Sequence, residues 1–372
     1  MPQGPDELTP ALLTRALHDV LRSPGARVVG KGWERIGQEF GFTGLVARLH
    51  LTYQPVGAGP ATVVAKFPFW DRDLSGYRRT QQARPEAARQ YRLRAAREAW
   101  FYRRFGPDLI GVTPRCYAAA DDIEHDRLVL LLEDVESAQT GDALHGCSPG
   151  QCEAVLMAIA PLHATAWNNP ELLADLPTWS QDAAARDARQ ARFRQQWLAL
   201  SAGAALDLPD RLLDLGEKLT GRLADVLARL DAGAHTLVHA DLHLDNVLFT
   251  RSPHRPAVIL DWQSVARGPA ALDAIRIVTG SLTPVDRHSH EPSLLSGYKN
   301  ALRARGVPEH DLDTFEEQCG LVLLTSFAGI IGWIASTRAT ELHGREQALR
   351  DAALGDGSLI AALLDHDVDA LI

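Results

Sequence analysis

Apolar positions divide this chain into an N-terminal part with strand periodicity and a longer part with helical periodicity. Thr9-Pro10 reads as a helix cap followed by proline at the first helical position. Leu12, Leu13, Ala16, Leu17, Val20 and Leu21 then recur at helical spacing, predicting an amphipathic helix that ends near Pro24-Gly25. From Val28 the character changes. Residues 45–53 alternate, with Leu45, Ala47, Leu49, Leu51 and Tyr53 on one face, which is the period of a strand. A Gly/Pro-rich turn at 54–60 leads into a second β-branched strand at 61–67, so 28–67 predicts a small antiparallel sheet. Residues 128–132 are continuously apolar and predict a buried strand running into a linker at Glu133-Asp134.

Beyond Ser148 the pattern is mainly helical. Ser148-Pro149-Gly150-Gln151 fits a capping box that opens a helix to about Trp167. Further helices are expected over 181–200, over 209–230 and from Pro269 to the end. One break interrupts them: strands at 236–239, 247–250 and 257–262 around a polar loop at 240–246. The fold class expected is α+β, with residues 1–134 forming one lobe and 135–372 a larger, mainly helical one. The apolar run 321–335 is too short to span a bilayer and reads as a buried helix.

Composition narrows the class. The 372 residues are 46% hydrophobic and 23% charged, with a formal net charge of −9. The pI near 5.9 argues against a nucleic-acid surface. Four cysteines (Cys116, Cys147, Cys152, Cys319) form no C-x-x-C pair, and no signal-peptide pattern opens the chain. A cytoplasmic protein with reduced thiols, working as a monomer or homodimer without membrane or nucleic-acid partners, is expected.

The chemistry concentrates in the polar loop. His239-Ala240-Asp241-Leu242-His243-Leu244-Asp245-Asn246 fits H-x-D-x-x-x-x-N, the spacing of a phosphotransferase catalytic loop. Such a reaction asks for one carboxylate facing the attacking hydroxyl, which Asp241 can supply. It also asks for hard oxygen ligands to hold Mg²⁺ on the phosphates, which Asn246 and Asp261 can supply. Lys66 stands inside the apolar strand Val63-Val64-Ala65-Lys66, where a lysine needs a partner or a ligand. Glu98 is the natural partner; the plainer alternative leaves Lys66 on an open edge. Upstream, Gly37, Gly41 and Gly44 could bring backbone N–H groups close to phosphates.

Residues 72–104 hold ten arginines, either a solvated helical face or an electropositive rim near a triphosphate. Glu291, Asp311, Asp313, Glu316, Glu317 and Glu341 could greet a cationic acceptor or could be solvated helix faces.

On these motifs the chain resembles the aminoglycoside phosphotransferase and choline kinase group of small-molecule kinases, most of all its ecdysteroid-kinase-like branch. Gly41-Phe42-Thr43-Gly44, Val64-Ala65-Lys66-Phe67-Pro68, Glu98 before Phe101-Tyr102, Leu131-Leu132-Glu133-Asp134, Leu162-His163-Ala164 with Trp167, and the run from His239 to Trp262 carry the likeness, over roughly residues 28–280. The resemblance implies a protein-kinase-like bilobal fold with ATP or GTP in the cleft. It implies a hinge at Glu133 to Val135 whose backbone reads the base, a phosphate contact from His243, and a structural role for Asp273 beneath the catalytic loop. His163 and Trp167 are expected to pack within the helical lobe. The chain departs from better-known members in two ways: its glycine loop reads G-x-x-x-G-x-x-G, and Gln263 stands where many relatives carry a second acid.

No A-P-E segment follows Asp261, which disfavours a protein kinase. A small-molecule hydroxyl acceptor is expected, with antibiotics (aminoglycoside-like, basic peptide or nucleoside) among the candidate classes. The alternatives are a kinase of another metabolite, a nucleotide-binding regulator without transferase activity, and an enzyme that only splits ATP.

Overall fold

The computed structural model describes residues 1–37, 44–70, 85–109, 111–201, 208–337, 344, 347–349, 352 and 358–372. The chain has the α+β, protein-kinase-like bilobal architecture and divides into two compact units. One is Met1–Ala138 with Thr250–Ser264; the other is Gln139–Phe249 with Val265–Ile372.

The first unit is built on a five-stranded antiparallel sheet. Its strands are β1 (Arg27–Ile36), β2 (Leu45–Gln54), β3 (Thr62–Phe67), β4 (Cys116–Asp122) and β5 (Arg127–Glu133), in spatial order β1-β2-β3-β5-β4. Leu45, Ala47, Leu49, Val63, Ala65, Phe67, Val129 and Leu131 alternate onto one buried face. There they meet Leu13 of α1 (Pro10–Ala16), with Leu8 and Leu17. The first helix is shorter than its apolar pattern suggests: after Ala16 the chain turns through a 3₁₀ segment, His18–Val20. β4 escapes sequence reading because all of its positions are half-buried, so no alternation marks it. Helix α2 (Pro85–Phe105) contacts β4 and β5.

The second unit is helical apart from short strands. Its helices are α3 (Pro149–Ala166), α4 (Ala183–Ser201), α5 (Asp210–Asp231), α6 (Ala271–Ser281), α7 (Pro284–Arg303), α8 (Phe315–Thr337) and α9 (Ser358–Asp365). The expected capping box opens α3: Gln151 N–H donates to Ser148 Oγ at 3.3 Å, and Ser148 N–H to Gln151 Oε1 at 3.0 Å. On α5, Leu212, Leu215, Leu219, Leu223, Val226 and Leu230 recur every three or four residues and are buried. Gly216 lies on this face because any side chain there would run into the Trp197 ring of α4.

The apolar run at 321–335 lies within α8, whose 23 residues make it longer than expected. By length and composition α8 could cross a membrane. Leu321, Val322, Leu323, Leu324, Phe327 and Ile331 are nevertheless buried, as befits a core helix.

Candidate active site

The first unit gathers Lys66, Glu98 and Asp261. In β3, Ala65 points into the core beneath α1, so pleating turns Lys66 to the opposite face. Lys66 Nζ lies 2.9 Å from Glu98 Oε1, 2.8 Å from Glu98 Oε2 and 2.6 Å from Asp261 Oδ1. The lysine is therefore paired rather than set on an open edge, as its apolar surroundings require. Burial alone would lower its pKa, but Asp261 and Glu98 outweigh it and hold the ammonium charged. Burial also dominates at Glu98, 2% exposed, and pushes its carboxyl up to about 7, with Asp261 adding to the rise and Lys66 opposing it.

Asp261 follows the short strand Ala257–Ile259 and adopts a left-handed backbone, φ 61°. Such a conformation is costly for a non-glycine residue and persists only where its surroundings impose it. Two contacts do so. Trp262 stacks on Phe101 of α2 at 4.2 Å between ring centroids, and Gln263 Nε2 donates to Asp261 Oδ2 at 2.9 Å. The residue that stands in place of a second acid is thus a donor that orients the first.

Of the glycine loop, Gly41 lies outside the described residues. Gly44 has φ 93°, and a Cβ there would fall 2.5 Å from the Phe67 carbonyl oxygen and 2.6 Å from that of Pro68. Glycine is needed here so that the chain entering β2 can lie close against the end of its antiparallel neighbour β3. At the end of β5, Glu133 accepts from both Arg255 Nη1, at 2.9 Å, and the Arg115 N–H, also at 2.9 Å. Its carboxyl is depressed although burial opposes this, because Arg255 and Arg115 favour the charged form. Its side chain is therefore committed to the fold. Val135 follows in the chain, and its carbonyl accepts from the Ala138 N–H.

The second unit gathers Asp241, His243 and Asn246. The loop hangs on Asp273, near the start of α6. That buried carboxylate accepts from the His239 N–H at 2.6 Å and the Ala240 N–H at 2.9 Å. His163 Nε2 lies 3.3 Å from the same carboxylate, and its Nδ1 contacts the Tyr298 hydroxyl. His163 thus packs inside the helical unit, and Trp167 donates to Asp311 at 2.8 Å. Burial would raise the Asp273 pKa, but the hydrogen bonds and the nearby histidines lower it below the usual carboxylate value.

Ala240 is the second left-handed non-glycine residue of the site, φ 65°. Its carbonyl accepts from Arg276 Nη1 at 2.8 Å. Arg276 Nη2 lies 3.6 Å from Asp241 Oδ1, and the Asp241 side chain is 42% exposed. Asn246 uses both amide protons: Nδ2 donates to the Asp241 carbonyl at 3.0 Å and faces His243 Nε2 at 3.1 Å. Burial lowers the His243 pKa despite Asp241 and Asp245, which keeps the ring neutral and able to accept at neutral pH. With both N–H groups engaged, the Asn246 amide can offer only its oxygen outward.

Asn246 offers an amide oxygen in the second unit and Asp261 a carboxylate in the first, each a hard donor of the kind magnesium prefers. Among the described residues no three His, Cys, Asp or Glu side chains cluster as a protein-only metal cage. Magnesium shared with phosphates does not need one.

Sequence reading missed Arg255 and Arg276, and it named Gln263 only as a departure, not as a partner of Asp261. Only Arg276, one helical turn after Asp273, carried a usable signal. Among the arginines of 72–104, Arg92 pairs with Asp126 at 2.5 Å and Arg103 pairs with Asp121. Arg72, Arg78, Arg79 and Arg84 lie outside the described residues. Of the acids thought able to greet a cation, Glu291 pairs with Arg287 and His366, Glu316 with Lys299, and Glu317 with Arg229. Asp311 accepts from Trp167, Asp313 is exposed, and Glu341 lies outside the described residues. The expected passage from Asp261 towards a helix also holds, through a strand, Ala266–Gly268, that pairs with Thr236–Val238 before α6.

Three solved structures share the fold. A Ralstonia eutropha protein provisionally named an aminoglycoside phosphotransferase is 16% identical, with 90% of this chain and 93% of that one covered and a TM-score of 0.53. A choline kinase from Cryptosporidium parvum is 11% identical, with 92% of each chain covered and a TM-score of 0.52. A Plasmodium vivax ethanolamine kinase is 9% identical, with 90% of this chain and 81% of that one covered and a TM-score of 0.51. Comparison with curated proteins gives no match. The family model described as the phosphotransferase enzyme family, APH, matches residues 56–310. That match takes in more than half of the chain, which therefore belongs to the APH phosphotransferase family and is a small-molecule phosphotransferase.

Proposed function

We propose that this chain transfers the terminal phosphate of a magnesium-bound nucleoside triphosphate, ATP or GTP, to a hydroxyl of a small molecule. The observation that carries the reading is the buried Lys66 ammonium held between Glu98 and Asp261. A lysine kept charged on a sheet face, braced by one acid and within reach of a second, suits a nucleotide's α- and β-phosphates.

Lys66 binds those phosphates and Glu98 braces it. Gly41 and Gly44 belong to the loop that covers them, and the backbone from Glu133 to Val135 reads the base. Asn246 and Asp261 hold the metal, which when bound neutralises charge on the phosphates. His243 keeps the Asn246 amide oriented and contacts a phosphate. Asp241 accepts the hydrogen bond of the acceptor hydroxyl, aligns it for in-line attack and takes its proton late. Positioning and charge stabilisation supply most of the rate.

Residues 1–134 serve mainly the nucleotide and 135–372 the acceptor and the catalytic loop, with Asp261 the exception. The triphosphate and the free thiols of all four cysteines are in keeping with a cytoplasmic setting. An antibiotic is one acceptor class among several to test.

Calorimetric titration with ATP and GTP, with and without Mg²⁺, tests the nucleotide half of this reading. Magnesium-dependent binding that Lys66→Met abolishes is expected. Equal binding by wild type and variant would remove Lys66 from the site.

A further inference from the structure

Asp273 and Arg276 stand three residues apart on α6, on one face of the helix. Asp273 accepts from the Ala240 N–H, and Arg276 donates to the Ala240 carbonyl at 2.8 Å. The left-handed Ala240 is therefore held at both its N–H and its carbonyl. The guanidinium does not stop there: its Nη2 reaches to 3.6 Å from Asp241 Oδ1 while the side chain stays 31% exposed. A fixed positive charge thus stands at one oxygen of the carboxylate that faces the acceptor.

We propose that Arg276 positions Asp241 and selects the acceptor, favouring one that is uncharged or anionic around the reacting hydroxyl. This rests on the phosphotransferase reading above. The guanidinium engages Oδ1 and leaves Oδ2 for the acceptor's O–H. An ammonium on the carbon next to that hydroxyl would lie within several ångströms of Arg276 and be repelled. A second observation points the same way. Three of the six acids that might have greeted a cation, Glu291, Glu316 and Glu317, are already paired with cations of the chain itself.

The test pairs hydroxyl compounds with analogues carrying an amine on the adjacent carbon, such as sugars with amino sugars and nucleosides with aminonucleosides. Each pair is incubated with Mg-ATP and the full-length protein, and phosphorylated products are read by mass spectrometry. In wild type the neutral member should be favoured by roughly tenfold or more. Arg276→Gln should lower kcat by roughly a hundredfold through lost alignment, with the KM for Mg-ATP little changed. Arg276→Lys, which keeps the charge, should keep the preference. Arg276→Glu should reverse it. Amine-bearing compounds phosphorylated as well as their neutral twins, or full kcat in Arg276→Gln, would overturn the role of Arg276 and leave the phosphotransferase reading standing. Failure of wild-type protein to bind Mg-ATP would remove both.

Discussion

Gln263 donates through Nε2 to Oδ2 of Asp261 at 2.9 Å, while Lys66 occupies Oδ1. The carboxylate proposed for the metal is thus aimed by a neutral neighbour rather than flanked by a second acid. Gln263→Ala removes the aim and keeps the ligand. The Mg²⁺ concentration for half-maximal activity should rise roughly tenfold with thermal stability nearly unchanged, the usual signature of losing a group that orients a ligand. An unaltered Mg²⁺ dependence would show that Gln263 does not orient Asp261.

Asp273 should govern acid stability. Its folded pKa is depressed below the ordinary 3.8 although burial opposes this. A depressed carboxylate contributes stability that is fully present above the unfolded value and lost as pH falls through the folded one. Asp273→Asn leaves a buried N–H facing an amide N–H₂ and should cost about 3 kcal/mol at pH 7. The gap between wild type and variant should narrow below about pH 4, once the unfolded carboxyl protonates. Denaturant titrations across pH 3–7 check it.

Gly44 should be intolerant of any side chain. At φ 93°, with two carbonyl oxygens within 2.6 Å of where a Cβ would stand, Gly44→Ala should destabilise the first unit by about 3 kcal/mol. A melting temperature within a degree of wild type would contradict the close approach of Gly44 to the end of β3.

Much of this was legible in the sequence for identifiable reasons. Strands β2, β3 and β5 were marked by alternation or by an apolar run, and α3 and α5 by a cap and a periodic face. Lys66 stood out because an apolar strand rarely carries a lysine, and Glu98 because such a lysine needs a partner. Asp241 and Asn246 stood out through their spacing. What escaped depends on contacts between distant residues. Cys116–Asp122 has no burial period, and nothing in a sequence says that Arg255 will neutralise Glu133 from 122 positions away. The left-handed backbone of Ala240 was equally hidden, since alanine does not favour that conformation; aspartate adopts it more readily, but nothing in the sequence marks Asp261 as doing so.

The central claim is transfer of phosphate to a hydroxyl with Asp241 at the acceptor. Its most direct test is mass spectrometry of hydroxylated compounds incubated with Mg²⁺ and ATP or GTP, wild type beside Asp241→Ala. One compound class should gain a single phosphate with wild type. Asp241→Ala should bind Mg-nucleotide as tightly yet turn over at least a hundredfold more slowly. Near-normal turnover by Asp241→Ala would contradict the account.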